Sequence, residues 1–118
     1  MQAWVRLIAS TTGILLSSIA FLALLTGICL RLPGATSTIT LGLLDYAACA
    51  ELHLSTLPPL LAVIGYVHAA ATADIIAHYA SRGGGQAARL LANVYRILVY
   101  ALGAFITSYT LMLSLLPG

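Results

Sequence analysis

The sequence has no lysine, and only three acidic residues, Asp45, Glu51 and Asp74, stand among 118 positions. Charged residues make up 7% of the chain, against about 25% in an ordinary soluble domain. Such a chain cannot cover a water-facing surface, so a free-standing globular domain is excluded. Its net charge of +2 comes from five scattered arginines, which leaves no basic patch for nucleic acid. Cys29 and Cys49 are the only cysteines and form no CxxC metal spacing. GxSxG, HExxH and the P-loop lysine are also missing, so neither a stand-alone hydrolase nor a nucleotide site is expected.

What is present is apolar sequence, 61% of the chain, arranged in three long runs. About 20 such residues cross a bilayer core. The expected architecture is therefore all-α, a single integral membrane domain of three transmembrane helices at about residues 4–30, 57–80 and 87–115. The first run far exceeds the apolar core of a cleaved leader and reads as a retained helix. Ser10, Gly13, Ser17, Ala20 and Gly27 lie near one face of it, a packing surface of small residues. Arg31, Pro33 and Gly34 end it. Between Thr40 and Leu57 two readings stand: a short interfacial helix with a new helix starting at Pro58, or one continuous helix kinked at Pro58-Pro59. Gly83-Gly84-Gly85 make a turn. No internal repeat or low-complexity tract stands out.

Arg6, Arg82 and Arg89 lie near one end and Arg31 alone near the other. The positive-inside rule then places the chain in a cell membrane with a cytoplasmic N-terminus. Cys29 and Cys49 share the opposite end; free buried thiols and a disulfide are both open, the former being the plainer expectation.

The residues that suggest chemistry sit in Leu57–Tyr79, LPPLLAVIGYVHAAATADIIAHY. An ionisable group at membrane depth is costly and usually has a partner or a task. His68 falls mid-span beside Gly65, Ala69, Ala70 and Ala71, where small side chains leave room for a flat macrocycle. It is the candidate ligand to a haem iron; an ordinary hydrogen bond to the next helix is the plain alternative. His53 lies fifteen residues earlier. On one regular helix the two would stand about 22 Å apart and rotated by about 60°, so they would serve two haems, with Met112 considered as a partner for His53. Arg89, Asn93, Arg96 and Tyr100 recur on one face of the third helix. Arg96 either pairs with Asp74 or, like Arg89, meets a haem propionate. Asp74 and His78 offer a proton path to a quinone, and Tyr79 a hydroxyl for its carbonyl.

The run VHAAATADIIAHYASR, with His68 followed by His78-Tyr79, resembles the second helix of the three-helix anchor subunits of succinate dehydrogenase and fumarate reductase. There a haem-ligating histidine precedes an aspartate-tyrosine near the quinone site; here His78 stands for the aspartate. Thr26-Gly27 followed by His53 and His68 also resembles small cytochromes b associated with flavin-carrying partners. The resemblance implies haem b and quinone as cofactors. It implies soluble flavoprotein and iron–sulfur subunits as partners, with a second membrane subunit or a homo-oligomer supplying the other axial ligand. The expected work is electron transfer between that soluble module and the quinone pool, the dehydrogenation itself belonging to the partner. The opposing class is a haem-free oligomeric transporter, channel or structural subunit.

Overall fold

A computed structural model describes residues 3–117. It is all-helical, with no strand among the described residues. Helix α1 spans Ala3–Arg31, a short α2 spans Pro33–Ile39, α3 runs continuously over Tyr46–Gly83, and α4 spans Gln86–Leu115. Three of them, α1, α3 and α4, are long and apolar enough to cross a membrane. At 29 residues, α1 is about 44 Å long, which exceeds a hydrocarbon core of about 30 Å and leaves its ends in the interfaces.

Helix α1 ends at Arg31, as the Arg31, Pro33 and Gly34 run leads one to expect. Pro33 and Gly34 do not simply stop a helix; the proline opens α2 at its first turn, a position where its missing N–H costs nothing. The chain then reverses through Leu41 and Gly42, both with positive φ. For Gly42 that is unstrained, whereas Leu41 occupies the left-handed region at a steric cost. Asp45 caps α3, its carboxylate accepting the Ala48 amide at 2.8 Å.

Of the two readings for residues 40–57, the continuous helix is the one formed, and α3 begins at Tyr46, well before Pro58. Pro58 and Pro59 have no N–H for the carbonyls four residues back. The helix answers by widening: Glu51–Thr56 form a π segment, and the Leu57 amide bonds to the Leu52 carbonyl. That segment inserts an extra residue into the helix.

At the other end of α3 the glycine turn closes in two residues. A Cβ on Gly84 would strike the Ala80 carbonyl and the Ala88 side chain, so this close crossing needs glycine there.

The three long helices form a row. α3 packs on α1 along one side and on α4 along the other, while α1 and α4 hardly meet. Contact is made through small residues, Ala71, Ala73, Ala77 and Ala92 being buried, which is how helices approach in lipid. Phe21 and Phe105 remain 75% and 70% exposed, as suits side chains whose solvent is hydrocarbon. Cys29 and Cys49, both fully buried, form a disulfide that ties the end of α1 to the first turns of α3. The plainer expectation of free thiols is corrected here: reversal through α2 brings the two Cα atoms to 6.1 Å, within bonding range.

Candidate functional site

His68 and His53 both project from α3 onto α1, and they do so in the same way. The Nδ1 atom of His68 lies 3.0 Å from the Ala9 carbonyl and 3.1 Å from Thr12 Oγ1. Its ring rests over Gly13, where an added Cβ would come within 3.2 Å of Cε1. The Nδ1 atom of His53 lies 3.0 Å from Thr26 Oγ1, and its ring rests over Gly27, again at 3.2 Å from an added Cβ. Each histidine is thus seated on a threonine-glycine pair of the antiparallel neighbour.

Hydrogen-bond chemistry fixes the tautomer of His68. A carbonyl only accepts, so the bond to Ala9 puts a proton on His68 Nδ1. Thr12 donates its hydroxyl proton to the Ile8 carbonyl at 2.6 Å and offers the same imidazole a lone pair. Thr26 has the Leu22 carbonyl at 2.9 Å for its own hydroxyl proton, which leaves it a lone pair for a proton on His53 Nδ1. In a neutral ring protonated on Nδ1, Nε2 carries a bare lone pair. Among the described residues neither Nε2 has a hydrogen-bond partner, and neither is sealed inside the chain.

Thr12 and Thr26 are fourteen residues apart, about 21 Å along α1, whereas His53 and His68 are fifteen apart. On a regular helix that mismatch would turn His53 off the shared face. The π segment, which contains His53 itself, takes up the odd residue and matches the two intervals.

No family model, curated protein or solved structure matches the chain.

Beside His53 opens an apolar groove of about 470 Å³, lined by Ala23, Leu24, Gly27 and Ile28, with Arg31 at its edge. A flat apolar molecule with a carboxylate would suit this combination of walls, imidazole and guanidinium. Among the described residues no group of three or more His, Cys, Asp or Glu side chains could hold a bare metal ion. Haem makes no such demand, since the macrocycle supplies four nitrogens and the protein only an axial one.

The other candidate residues lie elsewhere. Arg96 sits 3.8 Å from Asp74, and the Tyr100 hydroxyl donates to the same carboxylate at 2.8 Å. The pairing considered for Asp74 and Arg96 is therefore formed. Arg89 is exposed on the same helix, which lies across α3 from α1, so neither arginine reaches the histidine face. Tyr79 accepts a hydrogen bond from Arg6 at 2.7 Å, and His78 stands edge-on to it. Met112 also belongs to α4 and is half exposed; the structure does not bring it to His53. Further along α4 the contact with α3 continues as a seam: Tyr66 packs on Gly103, and Thr107 donates to the Ala62 carbonyl at 3.2 Å.

Sequence reasoning missed Thr12, Ala9 and Arg31, and it overlooked a signal. Thr-Gly-Ile occurs twice, at 12–14 and 26–28, and each copy seats a histidine.

Proposed function

We propose that the chain is a membrane cytochrome b subunit, with His68 and His53 as axial ligands to haem at two depths. One observation supports this: at both positions a group on α1 holds Nδ1, and Nε2 is left without a partner at the surface of the chain. Metal-ligating histidines almost always have their other ring nitrogen held by such an acceptor, which sets the tautomer and orientation and raises basicity. Haem, when bound, supplies one-electron chemistry at iron; the chain supplies orientation, an apolar surround and charge. Thr12 with Ala9, and Thr26, hold the imidazoles. Gly13 and Gly27 let the rings lie close to α1. Arg31, which lines the His53 groove, would pair with a propionate.

The wider role follows the resemblance: passing electrons between a soluble flavin and iron–sulfur partner and the quinone pool. Asp74, Tyr66 and Tyr100 line an apolar groove of about 260 Å³ at the opposite end from Arg31. Both hydroxyls in this groove already donate, Tyr66 to the Tyr100 carbonyl and Tyr100 to Asp74, whereas Tyr79 accepts from Arg6 and keeps its proton, so Tyr79 is the hydroxyl that a quinone carbonyl would use. The cell-membrane orientation with a cytoplasmic N-terminus gains support from the disulfide, which sits at the end opposite Arg6, Arg82 and Arg89; disulfides persist in oxidising compartments.

The test is a dithionite-reduced minus oxidised absorbance spectrum of the purified chain beside His68→Ala. A b-type α-band that weakens in the variant is expected. A chain that stays colourless when expressed with added haem would end the cytochrome reading and leave the haem-free transporter or structural subunit in its place.

A further inference from the structure

We infer that the chain works as a twofold homodimer, each haem being held between the same histidine of two copies: His68 with the second copy's His68, and His53 with the second copy's His53. The inference rests on the cytochrome reading above.

It starts from ligand count. At each of the two levels the chain presents one imidazole. His78, the third histidine, is ten residues from His68 and faces Tyr79, and Met112 is across α3. Each site is therefore incomplete by one strong axial ligand, and both are incomplete on the same α1/α3 face. A twofold axis along the membrane normal maps each residue onto its copy at equal depth. One symmetry operation thus completes both irons. A different subunit would have to supply two ligands with the same fourteen-residue interval that this chain reaches only through its π segment.

The α1 face between the levels is compatible with the axis. At about 100° per residue, Arg6, Gly13, Ser17, Ala20, Gly27 and Arg31 all fall within about 40° of a common line. Ser17 and Ala20, between the two histidine levels, are small and exposed, so a second copy can approach there. The charges also match. Two haems carry four propionates, and two copies place two Arg31 guanidiniums at one end of this face and two Arg6 guanidiniums at the other. The product is a four-helix core of two α1 and two α3 helices with cofactor sites built from facing side chains, and α4 on the outside.

The experiment uses the full chain in mild detergent with haem supplied. Light scattering should give a protein mass of two chains, with one haem per chain. Low-temperature electron paramagnetic resonance should show low-spin bis-imidazole iron and no high-spin signal. His53→Ala should leave one haem per two chains, still low-spin. Ala20→Phe, which touches neither histidine, should split the dimer and convert the iron to high-spin while helicity by circular dichroism is kept. A monomer with five-coordinate high-spin haem, a low-spin complex containing a different subunit, or a dimer indifferent to Ala20→Phe would each overturn the homodimer while leaving the cytochrome reading intact. A colourless chain would overturn both.

Discussion

Removing the hydroxyl of Thr26 should damage its site more than removing that of Thr12. Thr→Val keeps the shape and deletes only the hydroxyl. Thr26 is fully buried and is the one hydrogen-bond partner of His53 Nδ1 at 3.0 Å, the nitrogen that must carry the proton when Nε2 binds iron. In Thr26→Val that proton has no partner, and an orphaned donor in an apolar setting costs about 1–3 kcal/mol. Since about 1.4 kcal/mol is tenfold in affinity, haem at the His53 level should bind about ten- to a hundredfold more weakly, the range seen when the hydrogen-bond partners of metal ligands are removed. His68 is different. In Thr12→Val its Nδ1 proton still has the Ala9 carbonyl at 3.0 Å, so the loss should stay within a few-fold. Haem titration monitored at the Soret band, done in His68→Ala and His53→Ala backgrounds to isolate each level, reads the two constants. Nitrogen-15 histidine spectra of the haem-free chain give a second check, with the Nδ1–H tautomer expected at both rings and destabilised only at His53 in Thr26→Val. An equal or larger loss in Thr12→Val would refute the hydrogen-bond argument.

Other outcomes follow from neighbouring contacts. Replacing Cys29 and Cys49 by serine opens a loop of sequence separation 20, which by chain entropy costs about 3 kcal/mol; thermal melts in detergent should show that loss, and haem at the His53 level should go before haem at His68. Gly13→Leu should push the His68 imidazole off α1 and abolish haem at that level, whereas Gly13→Ala asks for a shift of a few tenths of an ångström and should retain it, read again by Soret absorbance. Asp74→Leu strands Arg96, so it should destabilise the chain more than the double change Asp74→Leu with Arg96→Leu, because removing one partner of an ion pair at membrane depth costs more than removing both; melting temperatures of the two variants decide it.

The three spans were legible because composition alone forces them: long apolar runs with almost no charge admit only helices or barrels in lipid. The start of α3 was not, because Pro58-Pro59 are equally good at opening a helix and at distorting one. What breaks the tie lies outside the proline pair, in the Asp45 cap and in the disulfide that draws Tyr46–Ala50 against α1. The cysteine pair was visible, but their proximity depends on the Leu41–Gly42 reversal, which no spacing rule supplies. The shared face of Arg89, Asn93, Arg96 and Tyr100 on α4 was legible from spacing, and the Arg96–Asp74 pairing was one of the two partners considered for it; in the structure Arg96 and Tyr100 meet Asp74 of α3. The histidine seats were half legible. Gly13 and Gly27 were seen as packing positions and His53 and His68 as candidate ligands, but joining them needs the antiparallel register, in which Thr12 meets a residue 56 positions away.

A histidine that merely fastens two helices would do so with both nitrogens, or would turn its spare nitrogen to another hydroxyl; Tyr, Ser and Thr are plentiful in this chain. Here both rings are satisfied on one side only. Thr12 is the tenth residue of α1, about 14 Å from its start, which puts His68 well inside the apolar layer. An unpaired polar atom there costs several kcal/mol, since lipid offers no water to satisfy it. One buried and one half-buried threonine hydroxyl, two glycines in a helix and a distorted turn together seat two imidazoles with Nδ1 held on α1 and Nε2 without a partner. That asymmetry, repeated at two levels, is the ground on which the ligand reading is proposed over a packing contact.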